Sequence, residues 1–360
     1  MRAGIIGGGI NGICTAWAFA LAGHGVTLFE RDKLMRATSA ASTKLLHGGL
    51  RYLEHGEFRL VREALRERHW WLLNAPALCS PIEICLPVYA HGRRSRWRFK
   101  CGLWFYDLLA GSRRLRRHCW RVASEMSALH PGLRKDGLHG AYYFSDGQMY
   151  DYELGLWAAE RAREAGAELR EQAPVSRIGV DGWVTLASGG AERFDHVINA
   201  TGPWAAELLR ISGIESSVRI DLVKGSHLLL GCQAPGAFLL EHPEDARVFF
   251  VLPYKEQTLV GTTEVRQSAP SPAGCTEEEK NYLLTGYNHY FKDARAVSDI
   301  TATFSGVRPL LRTSDDPTSA SREYVIETRG RLTTVFGGKW TTARALARKT
   351  VTAVNDAWQR

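Results

Sequence analysis

The sequence predicts an α/β protein in which a Rossmann-like domain is joined to a second domain on a mixed or antiparallel sheet. Residues 3–30 read as strand, glycine-rich turn, helix and strand, the βαβ unit of a parallel sheet. Ile220–Leu230 and Val248–Gly261 alternate apolar and polar residues, as half-buried antiparallel strands do. Gly337-Gly338 precedes a final helix, Thr342–Trp358, and repeats the glycine-then-helix order of the N-terminus.

The N-terminal unit carries the first functional signal. Ala3–Ile6 reads as a buried strand and Gly7-Gly8-Gly9-Ile10-Asn11-Gly12 follows it, with G-x-G-x-x-G on Gly7, Gly9 and Gly12. Ile13–Leu21 is an alanine-rich helix, and Val26–Phe29 is a second strand closed by Glu30. In such a unit the first glycine makes the tight turn and the second lets backbone approach a pyrophosphate. The third lets the helix pack on the sheet, and the helix N-terminus faces the anion. Glu30 stands where an acid accepts hydrogen bonds from ribose hydroxyls. The unit is therefore read as Rossmann-like and dinucleotide-binding.

Composition bounds the rest. The 360 residues suffice for about two domains. With 45% hydrophobic and 23% charged residues the chain is globular rather than disordered. Seven scattered cysteines, with no C-x-x-C pair, argue against a disulfide framework or zinc site and for a reducing compartment; no metal is expected. No apolar run is long enough for a spanning helix, and the first residues are read as mature protein. The net charge of +8 is local: Arg93–Arg121 holds ten basic residues and one acid, Asp107, so this stretch alone exceeds the net charge of the chain.

Taken in order, Arg31–Arg36 is a polar linker. Thr38–Lys44 gathers hydroxyls and a lysine before Leu45–Tyr52. It fits either a Ser/Thr-rich helix start with a glycine turn, or a second phosphate-contacting segment whose Gly48-Gly49 backbone passes a flat ring. Glu57–Leu73 is a helix whose Glu63 and Glu67 lie among arginines on an exposed face; Pro76 and Pro81 break it, and Ile82–Val88 is a strand. Trp97–Leu109 has one broad apolar face on Trp97, Cys101, Trp104, Phe105 and Leu108. That face suits a core-packing helix with solvated basic ends, or a surface-lying helix with aromatics at headgroup depth. Nucleic acid is a third option, but no nucleic-acid-binding motif accompanies the arginines, and none is expected to bind. Gly140–Tyr152 reads as a strand and a turn at Asp146-Gly147, and Tyr152–Glu164 as a helix. Ala167–Arg170 is a strand, and Val175–Leu186 a hairpin turning at Asp181-Gly182. His196–Trp204 is a buried strand delivered into a Thr-Gly turn, where a sheet of this class meets its ligand. Glu277–Phe291 is a helix; Ala302–Leu311, Arg322–Glu327 and Leu332–Phe336 are strands.

Six motifs in this order resemble the FAD-dependent glycerol-3-phosphate dehydrogenases of the respiratory, membrane-associated type, within the D-amino-acid-oxidase-like flavoproteins. They are Gly7–Gly12, Ala40–Glu54, Asn199–Trp204, Lys224–His227, Ser305–Leu310 and Phe336–Thr342, and the resemblance runs from residue 3 to about residue 350. It implies a discontinuous FAD-binding domain, here 1–75, 140–218 and 300–360, and a substrate-binding, membrane-facing domain, 76–139 and 219–299. It implies that Gly7, Gly9, Ile10, Asn11, Gly12, Glu30, Arg31, Ser39, Ser42, Lys44, His47, Gly48, Gly49, Leu50, Val175, Ala200, Thr201, Gly202, Trp204, Gly306, Arg308, Gly338, Lys339, Trp340 and Thr341 hold FAD. Substrate-contacting positions fall on Arg51, Tyr52, His227, Arg308, Arg322, Lys339 and Thr341, with His227, Arg308, Lys339 and Arg51 as the catalytic set.

The chemistry of that set is coherent. Arginine forks suit a phosphate dianion, cations near a flavin favour its reduced anion, and an imidazole can take the hydroxyl proton as hydride leaves C2 for flavin N5. The resemblance further implies oxidation of sn-glycerol 3-phosphate to dihydroxyacetone phosphate and quinone as electron acceptor, while the local charge and interleaved aromatics of Arg93–Arg121 predict peripheral attachment to an anionic membrane. The expected place is the cytoplasmic face of the inner membrane or the cytoplasm, with a homodimer possible. Family members usually continue into a helical C-terminal domain, whereas this sequence ends at Arg360. Two competitors stay open on the residues: an amine or amino-acid oxidase of the same fold, and a flavin-binding remnant without turnover that binds membrane or a partner.

Overall fold

The computed structural model describes residues 1–90, 92–271, 274–312 and 324–358, without the side chains of residues 55 and 358. Arg2–Ile6 is the central strand of the first sheet. It pairs in parallel with Gly25–Phe29 on one side and His196–Asn199 on the other. The described sheet has six strands, in the order Tyr324–Arg329, Leu332–Gly337, His196–Asn199, Arg2–Ile6, Gly25–Phe29 and Ala167–Arg170; only the first pairing is antiparallel. Helices Ile10–Leu21, Asp151–Glu164 and Ala343–Trp358 pack together against it through Ile13, Ala16, Ala158, Ala159, Ala343 and Ala347, all buried in one cluster. Small side chains allow this close helix packing. Val175–Ile178, Trp183–Leu186 and Ala191–Arg193 form a separate antiparallel sheet.

The larger sheet is mixed. Its path runs Val265–Gln267, Ile220–Leu230, Gln257–Gly261, Val248–Tyr254, Ala237–Glu241, Cys79–Tyr89, Leu138–Met149 and Leu45–Leu46. Ile300–Leu311 joins Ile220–Leu230 along its whole length, and Cys119–Val122 joins Leu138–Met149. The pairing of Ala237–Glu241 with Cys79–Tyr89 is parallel; the others are antiparallel. Strands 138–149 and 300–311 thus lie in the large sheet, although their sequence neighbourhood is that of the nucleotide-binding sheet.

Several local expectations are corrected. Asp146-Gly147 is no turn but the middle of strand Leu138–Met149, and Asp146 is buried. The Asp-Gly signal fails because Arg68 Nη1 at 2.8 Å and the Tyr106 hydroxyl at 2.6 Å satisfy the carboxylate inside the core. Pro81 is inside strand Cys79–Tyr89 rather than before it. The neighbouring strand on that edge pairs only at Ile84 and Cys85, so the missing N–H is not needed. Val248–Gly261 is two strands that turn at Lys255, whose φ is +47°. Glu67, expected on an exposed face, is buried between Arg344 at 3.0 Å and Arg348 at 2.6 Å from the last helix. The charges expected to face solvent instead bind two helices together.

Helix Arg96–Ala110 buries Leu103, Tyr106, Asp107 and Ala110. The apolar face singled out by spacing points the other way: Trp97 is 70% exposed, Trp104 51%, Phe105 40% and Leu108 59%. A core-packing role for that face is thereby ruled out. Not all the arginines around it are available, because Arg94 pairs with Glu54 and Glu241, Arg98 with Glu54 and Arg116 with Glu83. Among the described residues no helix is long and apolar enough to cross a membrane.

Candidate functional site

The strand ends of the parallel sheet and one face of the large sheet enclose a cavity of about 620 Å³. Gly7, Gly9, Ile10 and Asn11 line it from the first strand exit, Ala200, Thr201, Gly202 and Trp204 from the second, and Gly338, Lys339, Trp340 and Thr341 from the third. Ser39, Ser42, His47, Gly49, Leu50, Arg51, Tyr52, His227, Gly306 and Arg308 complete the predicted residues that reach it.

The fingerprint is built as the motif requires. A Cβ on Gly12 would lie 1.8 Å from the Gly7 carbonyl oxygen, so only glycine lets the helix start this close to the loop. Gly9 stands at the N-cap of helix Ile10–Leu21 and offers no side chain; Ser39 Oγ, from a distant segment, accepts the Ile10 N–H at 3.0 Å. Asn11 Nδ2 donates to the Gly337 carbonyl at 3.2 Å, tying the first glycine loop to the last. Its Oδ1 is buried and has no hydrogen-bond partner among the described residues. An orphaned acceptor beside a helix N-terminus, at the edge of a long cavity, fits a bound dinucleotide that supplies the missing donor.

Other predicted residues support the cavity from outside it. Glu30 accepts the Gly8 N–H at 2.6 Å and the Asp32 N–H at 3.0 Å, and so braces the glycine loop. The Arg31 guanidinium lies 3.9 Å from the Trp204 ring centre. Lys44 is buried, 2.7 Å from Asp151, and Ser42 Oγ donates to the same carboxylate at 2.7 Å. Gly48 packs against Leu65 and Tyr106 and donates its N–H to the Tyr106 hydroxyl at 2.8 Å. Val175 belongs to the small antiparallel sheet, away from the cavity lining. Arg322 lies outside the described residues.

His227, Arg308, Arg51, Lys339 and Tyr52 also line the cavity. His227 is buried, stacks on Phe304 with ring centres 4.7 Å apart, and sets Nε2 2.9 Å from Thr43 Oγ1. Burial, then the charges of Arg308 and Lys44, push its pKa well below 6.5, so the imidazole is neutral at physiological pH. Its Nδ1 has no hydrogen-bond partner among the described residues. Arg308 donates to Thr262 Oγ1 and the Thr263 carbonyl, both at 3.0 Å, and pairs with Glu264 at 3.3 Å. Arg51 lies 3.8 Å from the same carboxylate. Lys339 Nζ sits 3.3 Å from the Tyr52 ring centre. Thr341 lines the cavity with its carbonyl accepting the Trp71 indole N–H at 3.3 Å.

Sequence reasoning missed Glu264, Thr43 and the Asp146–Tyr106–Arg68 network. Glu264 had a signal, since Gly261-Thr262-Thr263-Glu264 places three polar side chains at the exit of an apolar strand. Asp146 had none, because its meaning depends on partners 40 and 78 residues away.

The family described as FAD dependent oxidoreductase matches residues 2–351. The chain belongs to that family. It is an FAD-dependent oxidoreductase, and the glycine cradle and orphaned Asn11 acceptor are where its own residues fit the cofactor. A glycerol-3-phosphate dehydrogenase of Pseudomonas aeruginosa is 37% identical, over 97% of this chain and 70% of that protein. A D-erythritol 1-phosphate dehydrogenase of Brucella abortus is also 37% identical, over 96% and 72%. Among solved structures, the glycerol-3-phosphate dehydrogenase of Bacillus halodurans complexed with FAD has the same fold, with a TM-score of 0.79 at 23% identity. This chain is covered completely in that comparison and spans 65% of the other.

Proposed function

We propose that this oxidoreductase acts on a polyol phosphate, sn-glycerol 3-phosphate first, and yields dihydroxyacetone phosphate. The observation that carries the reading is that Arg51 and Arg308 meet at Glu264 in a cavity that Lys339 and a buried neutral histidine also line. Guanidinium forks and an ammonium bind a phosphate dianion, and a neutral imidazole is ready to take a proton. FAD, held along the glycine loops, supplies the hydride acceptor. His227 takes the hydroxyl proton, Thr43 fixes its ring, and Arg308 with Arg51 holds the phosphate. An amine substrate is disfavoured by the same three cations. The D-erythritol 1-phosphate dehydrogenase relative supports a longer polyol phosphate as the second reading. Anaerobic mixing of the yellow protein with each phosphate tests both: loss of flavin absorbance with sn-glycerol 3-phosphate is expected, and no bleaching with either would refute the proposal.

The same reading extends to the acceptor and the membrane. The cavity lining also includes Leu53, Phe58, Phe99 and Phe105, next to the paired Glu54, Arg94 and Arg98, and Phe58 and Phe105 are also exposed at the surface. Apolar side chains of this kind suit a quinone ring. The exposed Trp97, Trp104, Phe105 and Leu108, flanked by arginines, suit the anionic cytoplasmic face of a bilayer, where a quinone is dissolved.

A further inference from the structure

The anion end of the cavity already contains an anion. Glu264 lines it, its side chain one-tenth exposed, with Oε1 3.3 Å from Arg308 Nη1 and 3.8 Å from Arg51 Nη2. Its backbone is anchored from below. Thr263 Oγ1 donates to the buried carboxylate of Glu279 at 2.7 Å and accepts the Ser226 N–H at 2.9 Å. Lys224 lies 2.8 Å from Glu279 and balances that charge, so the anchor is a closed network. Arg308 is fixed to the same segment through Thr262 Oγ1 and the Thr263 carbonyl. The carboxylate is therefore held against both guanidiniums.

Two guanidinium groups that face one cavity, each partly buried, repel unless an anion lies between them. Glu264 lies within reach of both. A phosphate group offers more acceptor oxygens and matches both forks, but it must compete with a carboxylate that is already in place. We propose that Glu264 is the resident counter-ion of the anion subsite, displaced from Arg308 and Arg51 by the phosphate of the substrate. This rests on the reading of the substrate as a phosphate monoester. Binding is then an exchange of anions. Free inorganic phosphate gains only the arginines and must displace Glu264 unaided, whereas a polyol phosphate also brings hydroxyls to the rest of the site. Glu264 is thus a specificity-determining residue that keeps free phosphate from filling the pocket.

The test is calorimetric titration of the FAD-loaded protein with inorganic phosphate at constant ionic strength. Glu264→Gln keeps the shape and removes the charge, and should tighten phosphate binding by about tenfold or more, the scale of one charge-assisted contact. Glu264→Asp draws the charge back by one methylene and should fall between Gln and wild type. Either variant, if flavin-loaded, binding phosphate no more tightly than wild type would overturn the proposal; should the Gln variant fail to hold flavin, the Asp variant decides alone. Arg308→Ala separates the two levels. Unchanged phosphate binding in Arg308→Ala removes the anion subsite itself and the proposal with it. Weakened binding there, without tightening in Glu264→Gln, removes only the role of Glu264.

Discussion

Replacing His227 tests the chemistry most directly. An alanine there removes a buried ring stacked on Phe304, and truncating a buried aromatic costs about 3–5 kcal/mol, so slow turnover could reflect a damaged fold. His227→Asn avoids much of this: it retains a polar group for Thr43 Oγ1 and fills part of the space, yet cannot accept a proton near neutral pH. Flavin reduction by sn-glycerol 3-phosphate, followed by anaerobic stopped flow, should slow by about two to four orders of magnitude in both variants. The pH profile adds an independent check. Burial, Arg308 and Lys44 all disfavour the imidazolium, so the acid limb of wild-type kcat/KM should lie below pH 6.5. The sign for stability follows. A depressed folded pKa gives a contribution that is complete above the unfolded value near 6.5 and is lost as pH falls toward the folded value. Wild type should therefore lose stability below pH 6.5 more steeply than His227→Asn. Near wild-type reduction rates in the flavin-loaded Asn variant would refute the assignment, and an acid limb at or above 6.5 would refute the neutral imidazole.

Arg308→Ala should raise KM for sn-glycerol 3-phosphate about ten- to a hundredfold, the loss of a charge-assisted pair worth roughly 1.5–3 kcal/mol, while FAD content stays the same; steady-state kinetics and flavin absorbance check both. FAD should be bound noncovalently, so acid precipitation should release it to the supernatant, and flavin left on the pellet would contradict this. Wild type should sediment with anionic liposomes at low salt, each basic residue near the surface contributing on the order of 1 kcal/mol. Changing Trp104 and Phe105 to Ser, or Arg113, Arg114 and Arg117 to Ser, should weaken that binding; equal sedimentation with neutral liposomes would remove the membrane reading.

How much of this was legible depended on the distance over which each residue finds its partners. The βαβ unit at residues 2–29 was readable because its turn, helix and strand are neighbours in sequence, and the structure places them as read. Arg51, His227, Arg308 and Lys339 were named from family motifs and meet in one cavity. Glu67 was misplaced because its arginines stand 277 and 281 residues away. Asp146-Gly147 was misread for the same reason, since a turn signal is a local preference and a buried network can override it.

Helix Arg96–Ala110 marks the other limit. Periodicity identified one continuous apolar face but could not say whether protein or solvent meets it, because a core face and an interfacial face have the same 3.6-residue spacing. The structure separates them by geometry. Leu103, Tyr106 and Ala110, not the tryptophans, turn toward the large sheet, and Tyr106 is locked there by Asp146 and the Gly48 N–H. That lock ties the helix to the same glycine turn that presents Arg51 and Tyr52 to the cavity, so one buried tyrosine bears on both the outward direction of the aromatic face and the position of that turn. Any partner that meets the exposed Trp104 and Phe105 therefore meets a face whose position is tied, through Tyr106, to the wall of the cavity.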